Sequence, residues 1–195
     1  MRTTQMTIKV GDRLPDVTFA TMGANGPEKR KTSDIFAGKK VALFAVPGAY
    51  TPTCHKSHMP GFVDRAGELA AKGIDTIACT AVNDVFVLDN WSKDTGAAGK
   101  IEMLADGSGD FAKALGLEID LSGFGLGVRS KRYAMLVDNG VVKVLNVEDS
   151  PPVAEKSSAA NLCSISSSVR MRPPNVSGMK QTFATSRSTS SARVP

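Results

Sequence analysis

The chain has 195 residues, of which 42% are hydrophobic and 22% charged, and its formal net charge is +5. These values fit a single globular domain and exclude a collagen-like chain or one that is disordered throughout. No apolar run approaches the roughly 20 residues of a membrane-spanning helix, and the first residues lack the apolar stretch of a secretory signal. The sequence therefore predicts a cytoplasmic protein with no membrane partner.

The excess positive charge lies at one end of the chain. Residues 164–195 carry five Arg or Lys and no Asp or Glu, which leaves 19 basic and 19 acidic residues in 1–163. The terminal stretch is also rich in Ser and Thr and lacks apolar periodicity, as is typical of a disordered tail. We expect a folded domain over 1–163 and a Ser/Arg-rich tail over 164–195. Nucleic-acid binding through this tail is a weak alternative, because its charges are scattered and Phe183 is its one aromatic residue.

The order of apolar runs in 1–163 predicts the fold class. Four runs indicate strands, at residues 41–46, 74–82, 134–137 and 141–145. Helical patterns occupy residues 59–72, 84–93 and 110–117. Asp138-Asn139-Gly140 joins the last two strands, and Asn and Gly tolerate the positive φ of a tight hairpin. The sequence thus predicts an α/β domain with a central mixed sheet flanked by helices.

The three cysteines, Cys54, Cys79 and Cys163, are too few for the disulfide framework of a small secreted protein. In a reducing compartment, such cysteines are structural, metal-bound or reactive. Cys54 follows the strand at 41–46 and a proline-containing loop, and it lies in the first turn of a predicted helix. Free N–H groups and the helix dipole stabilise a thiolate there. We therefore predict that Cys54 is reactive, with the Thr51 hydroxyl close enough to bond its sulfur or a substrate.

His55 and His58 beside Cys54 have part of the spacing of a metal site. No further cysteine or carboxylate cluster completes the four ligands that structural zinc takes, so we predict no metal. His58 is expected to support the helix that carries Cys54, and His55 to act on Cys54 electrostatically.

The loop before Cys54 also carries a family resemblance. Pro47-Gly48-Ala49-Tyr50-Thr51-Pro52-Thr53-Cys54 contains the Pro-xxx-Thr-xx-Cys signature of the peroxiredoxins. Together with His58-Met59-Pro60-Gly61-Phe62 and the run from Leu126 to Tyr133, it resembles the type II branch, the atypical two-cysteine or peroxiredoxin-5-like group. The resemblance extends from about residue 8 to about residue 148, and several motifs in the right order make it specific.

This resemblance implies a thioredoxin-like fold and a thiol-dependent peroxidase, without metal or organic cofactor, that serves antioxidant defence and redox homeostasis. Hydrogen peroxide and small alkyl hydroperoxides are the implied substrates. Cys54 takes the peroxidatic role, in which its thiolate attacks the peroxide and becomes a sulfenic acid. Thr51 aligns with the hydroxyl that orients the peroxide, and Pro47 with the residue that shields the sulfenate. Arg129 aligns with the guanidinium that polarises the peroxide; one charge in a solvated basic run is the other interpretation of Arg129.

The second step of the cycle is less defined by the sequence. Cys79 ends an apolar run, which favours packing in the core. Its context also resembles the position where plant-type members carry a second cysteine, which resolves the sulfenic acid as a disulfide after local unwinding. Both interpretations stay open, and Cys163 receives no role.

The resemblance further implies partners. Glutaredoxin, thioredoxin or glutathione is the implied reductant, and the chain is expected to form a homodimer packed near the active-site loop. A redox sensor or chaperone of the same fold, with little turnover, is the alternative function.

Overall fold

A computed structural model describes residues 6–169, which build two antiparallel or mixed sheets. The larger sheet contains β1 (Thr18–Gly23), β2 (Gly26–Lys31), β3 (Lys40–Ala45), β4 (Thr76–Ala81), β5 (Glu102–Ala105), β8 (Tyr133–Asp138) and β9 (Val141–Val147), and the smaller one β6 (Glu118–Asp120) and β7 (Val128–Ser130). The seven strands lie in the order β2-β1-β5-β4-β3-β8-β9. Parallel pairing joins β3, β4 and β5, and antiparallel pairing joins the rest. The predicted mixed central sheet is confirmed.

Helices flank this sheet. They are α1 (Thr32–Phe36), α2 (Met59–Asp64), α3 (Ala66–Ala71), α4 (Val85–Asp94), α5 (Asp110–Ala114) and α6 (Ala159–Ser166), with a π-helical turn at Cys54–His58 and a 3-10 turn at Ser122–Phe124. The helix predicted over 59–72 is broken at Arg65, whose backbone leaves the helical region. None of the helices in the described part of the chain is long and apolar enough to cross a membrane.

The two faces of the sheet support two apolar cores. All six residues of β3 are buried, and alternate side chains of a strand point to opposite faces. Ala42 and Phe44 belong to the core that also contains Cys54 and Cys79, whereas Val41 and Leu43 belong to the core on the opposite face. Burial on both faces explains why β3 appears in the sequence as an unbroken apolar run.

The hairpin between β8 and β9 forms where Asp138-Asn139-Gly140 predicted it. Asn139 has φ 52° and Gly140 has φ 77°, the paired positive values that a tight two-residue turn requires. The Asn139 side chain also accepts a hydrogen bond of 2.8 Å from the Gly38 N–H group. The hairpin therefore fixes β8 beside β3.

Helix α6 continues past residue 163, where the domain boundary was predicted. It ends at Ser166, and its Leu162 and Cys163 side chains are buried in the same core as Cys54. Residues 170–195, most of the predicted tail, lie outside the described residues, so the tail stays a prediction.

Candidate active site

The Cys54 side chain is buried at the end of the loop that follows β3. Its π-helical turn is closed by a hydrogen bond from the Met59 N–H group to the Cys54 carbonyl. Pro60 explains the wide turn, because proline lacks the N–H group that an α-helical ladder needs at this position. The turn and the core that contains Phe44 and Cys79 thus hold a cysteine, predicted to be reactive, away from bulk water.

Arg132 lies directly against this sulfur. Its Nη2 donates to Cys54 Sγ at 3.2 Å, and only 3% of the arginine is exposed. Nε and Nη2 donate to the Pro151 carbonyl at 3.2 and 2.9 Å, and Nη1 donates to His58 Nδ1 at 3.1 Å. Arg132 immediately precedes β8, whose first residue Tyr133 pairs with Ala45 at the end of β3. Strand pairing therefore brings Arg132 to the same end of the sheet as the Cys54 loop.

Arg129, the residue that the sequence aligned with this guanidinium, makes different contacts. Arg129 Nε donates to the Leu126 carbonyl at 2.7 Å, and its Nη1 donates to the Val82 carbonyl at 3.0 Å. A Cβ atom on Gly48 would lie 3.3 Å from that same Nη1. Arg129 therefore connects the loop at Leu126 to the residue that follows β4 and lies close to Gly48. Arg132 occupies the position beside the sulfur.

His58 connects Arg132 to the C-terminal part of the fold. Its Nε2 lies 2.9 Å from the Ser157 carbonyl, and desolvation lowers its pKa to about 4, with repulsion from Arg132 adding to the shift and the bond to Ser157 opposing it. His58 is therefore neutral near pH 7 and accepts a hydrogen bond from Arg132. The expectation that His58 supports the active-site helix gains a defined set of partners.

Pro47, Tyr50 and Thr51 belong to the same loop as Cys54. Thr51 Oγ1 donates to the Gly48 carbonyl at 2.8 Å, which leaves its lone pairs free to accept, and Pro47 is buried. Tyr50 is half-exposed, has a φ of 63° and bonds Asp94 through its hydroxyl at 2.7 Å. Positive φ is unusual for tyrosine and marks a constrained loop.

The His55 side chain contacts Trp91 and Tyr50. Its Nδ1 accepts a hydrogen bond of 3.1 Å from Trp91 Nε1, and its ring stacks on that of Tyr50 with centroids 5.7 Å apart. His55 therefore links the Cys54 turn to α4. No group of three His, Cys, Asp or Glu side chains in residues 6–169 is arranged to hold a metal ion.

Cys79 lies at the middle of β4, paired with Phe44 on one side and Met103 on the other. Burial raises the pKa of the Cys79 thiol well above its usual range; a Cys54 thiolate raises it further and Arg132 opposes this. Cys163 is buried in α6, where desolvation and then Glu68 raise its pKa. All three cysteines are unpaired.

Comparison with known proteins identifies the family. A family model described as Redoxin matches residues 9–163. Peroxiredoxin-2E, chloroplastic, of Arabidopsis thaliana is 56% identical over 146 residues, which cover 73% of this chain and 62% of that protein. The chain thus spans less than two thirds of that relative's length. Peroxiredoxin-2D of Arabidopsis thaliana is 50% identical over 143 residues, which cover 73% of this chain and 88% of that relative. The chain belongs to the peroxiredoxin family.

Solved structures agree with this membership. The crystal structure of reduced Prx3 in complex with H2O2 from Vibrio vulnificus superposes with a TM-score of 0.78 at 48% identity, over 82% of this chain and 99% of that one. The thioredoxin-like fold and the type II resemblance of the sequence are confirmed for this peroxiredoxin.

Sequence reasoning missed Arg132, Glu148 and Ser157. Arg132 lies in the same basic run as Arg129, so charge alone does not separate them. Its position directly before a predicted strand was the available signal. Glu148 and Ser157 reach the site through contacts that no local pattern announces.

Proposed function

We propose that this peroxiredoxin is a thiol-dependent peroxidase that reduces hydrogen peroxide and small alkyl hydroperoxides at Cys54. The bond of 3.2 Å from Arg132 Nη2 to Cys54 Sγ carries the proposal. A guanidinium is always charged, so it favours a thiolate over a thiol. The peroxide bound to the Vibrio vulnificus relative supports the same substrate class.

The first step oxidises Cys54 and reduces the peroxide. The thiolate attacks one peroxide oxygen, so that an S–O bond forms while the O–O bond breaks. The other oxygen takes up a proton and leaves as water or an alcohol, and Cys54 becomes a sulfenic acid. Thr51 accepts from the protonated peroxide oxygen, and Pro47 covers the sulfenate.

Arg132 stabilises the charge that develops in this step. Guanidinium carries five N–H groups, and the protein uses four of them in bonds to Cys54, His58 and Pro151. The remaining Nη1 hydrogen is available to the departing oxygen. Fixed donors of this kind are a large source of catalytic stabilisation because they need no reorganisation during the reaction.

Replacement of Cys54 tests the assignment. Cys54→Ser should abolish peroxide consumption with every thiol donor, whereas Cys163→Ser, a matched change at a buried cysteine, should retain it. Turnover that persists in Cys54→Ser would refute the peroxidase. Fast oxidation of Cys54 with negligible turnover in the presence of donors would favour the alternative, a redox sensor.

For the second step we propose that an external thiol regenerates Cys54, supplied by glutaredoxin, thioredoxin or glutathione. The position of Cys79 supports this route, since β4 is paired on both sides and a disulfide to Cys54 needs part of that strand to unwind. Cys79→Ser should therefore keep activity with glutaredoxin and with thioredoxin. Loss with thioredoxin alone would instead establish Cys79 as the resolving cysteine.

We also propose that the protein is a homodimer that packs beside the active-site loop. Four large apolar side chains are exposed there or in segments tied to it: Tyr50, Phe86, Phe124 and Val128. Phe124 is 82% exposed, and its loop is braced by Arg129 toward Val82 and Gly48. Large apolar side chains left exposed in this way support a protein interface.

The compartment proposed for the protein is the cytoplasm. Three unpaired cysteines are consistent with a reducing environment. Fractionation of cells that express a tagged full-length chain tests the location, and enrichment in an organelle would contradict it.

A further inference from the structure

A segment from the C-terminal part of the fold forms one wall of the active site. Residues 148–157, here called the strap, connect β9 to Ser158, the N-cap of α6. The Pro151 carbonyl accepts from Arg132, and the Pro152 carbonyl accepts from Thr53 Oγ1 at 3.2 Å. The Ser157 carbonyl lies 2.9 Å from His58 Nε2. Arg132 is therefore held by the strap as well as by the sheet.

One buried carboxylate fixes the conformation of this strap. Glu148 Oε1 accepts from the Ser157 N–H group at 2.7 Å and from Ser157 Oγ at 2.8 Å. Glu148 is 7% exposed, and Oε2 has no hydrogen-bond partner among the described residues. Its backbone N–H group donates to the Arg132 carbonyl at 3.0 Å. Glu148 thus anchors Ser157 through one carboxylate oxygen, and its backbone is hydrogen-bonded to that of Arg132.

The bonds around His58 have only one consistent direction. Arg132 Nη1 can only donate, so His58 Nδ1 must accept and Nε2 must carry the hydrogen. That hydrogen points to the Ser157 carbonyl. The orientation of Ser157 therefore selects the tautomer and ring position that present an acceptor to Arg132.

We propose that Glu148 is a positioning residue for Cys54: by fixing Ser157 it orients His58, and through His58 it holds Arg132 against the sulfur. The predicted effect of Glu148 on the rate of peroxide reaction rests on the proposed peroxidase function. The predicted effect of Glu148 on the Cys54 thiolate does not depend on that function. If Glu148 only holds the strap closed, its replacement should lower the stability of the protein and leave the Cys54 thiolate unchanged.

The test compares Glu148→Ala, Glu148→Gln and Ser158→Ala in the full chain. Ser158 is the matched control, because its hydroxyl accepts a hydrogen bond from the Asn161 N–H group to cap α6 and, among the described residues, makes none to Glu148, His58 or Arg132. Glutamine keeps an acceptor for Ser157 and removes the charge. For each protein, the ultraviolet thiolate absorbance of its Cys54→Ser counterpart is subtracted, so that only Cys54 is measured.

Glu148→Ala should lower the thiolate absorbance at neutral pH and reduce the rate of peroxide reaction by roughly tenfold, as loss of one charged hydrogen bond predicts. Glu148→Gln should restore both to within about twofold of the parent. Ser158→Ala should lower the unfolding midpoint and leave both unchanged. If Glu148→Ala matches Ser158→Ala, or if glutamine does not rescue, the positioning role is overturned.

The two proposals fail in distinguishable ways. If the parent protein does not consume peroxide, the peroxidase proposal fails, while the absorbance comparison still decides the role of Glu148. If the parent is active but the thiolate of Glu148→Ala is unchanged, only the positioning role fails.

Discussion

Two side chains with opposite electrostatic needs meet at the active site. Arg132 must stay charged to favour the Cys54 thiolate, and His58 must stay neutral to accept a hydrogen bond from Arg132. Burial secures the second condition, because desolvation penalises an imidazolium. The low pKa of His58 is therefore a consequence of the same packing that excludes water from the sulfur.

The His58 pKa predicts how stability depends on pH. Folding lowers this pKa from 6.5 to about 4. Between these pH values His58 is protonated in the unfolded chain and neutral in the folded protein. The contribution of neutral, buried His58 to the free energy of unfolding is present above pH 6.5 and is lost as the pH falls toward about 4. The loss amounts to about 3 kcal/mol at the lower limit.

Urea unfolding at a series of pH values measures this effect. In His58→Gln, the decline in unfolding free energy between pH 6.5 and pH 4 should be shallower than in the parent, because the titrating group is gone. Curves that stay parallel would contradict the assignment.

At the scale of elements, the π-helical turn Cys54–His58 places the cysteine. Pro60→Ala restores an N–H donor, and the turn should tighten toward an α-helix and shift the sulfur from Arg132. The rate of peroxide reaction should fall roughly tenfold, while stability is retained or raised.

Gly61→Ala is the control for this change. Its Cβ would meet no atom within 4 Å, so it should stabilise α2 by about 0.5–1 kcal/mol without altering the rate. Stopped-flow kinetics and thermal unfolding of both variants distinguish the effects. An unchanged rate in Pro60→Ala would show that the wide turn is not needed.

The elements that the sequence predicted share one property. The runs that became β3, β4, β8 and β9 are apolar, because these strands are buried on both faces or form a tight hairpin. Strands β1, β2, β5, β6 and β7 were not predicted. β2 is a mostly exposed edge strand rich in charged residues, and β5, β6 and β7 have four residues or fewer, so none of these four shows a readable alternation of apolar and polar residues.

The sequence favoured Arg129 over Arg132 for a related reason. Cys54, Thr51 and Pro47 follow one another along the chain, so a short pattern locates them. The guanidinium comes from the far side of the fold, and only the pairing of β8 with β3 decides which arginine faces the sulfur. The order of charged residues along the chain does not show which of them strand pairing brings next to Cys54.

At the scale of the whole molecule, the exposed apolar side chains beside the site predict its assembly. Phe124→Glu places a charge in the proposed interface and should convert the dimer to a monomer. Sedimentation velocity at several concentrations measures this. Val10→Glu, at a distant exposed apolar residue, should leave the dimer intact. A parent protein that is monomeric at all concentrations would contradict the proposed dimer.

Arg132, and not Arg129, is expected to activate Cys54 toward peroxide. Trp91 is the single tryptophan of the chain and bonds His55, the neighbour of Cys54, so its fluorescence reports on oxidation of the site. The decisive measurement is the second-order rate of this fluorescence change with hydrogen peroxide in the parent, Arg132→Met and Arg129→Met. We predict a loss of about a hundredfold or more in Arg132→Met and a much smaller loss in Arg129→Met. Equal losses, or the larger loss in Arg129→Met, would contradict the role proposed for Arg132.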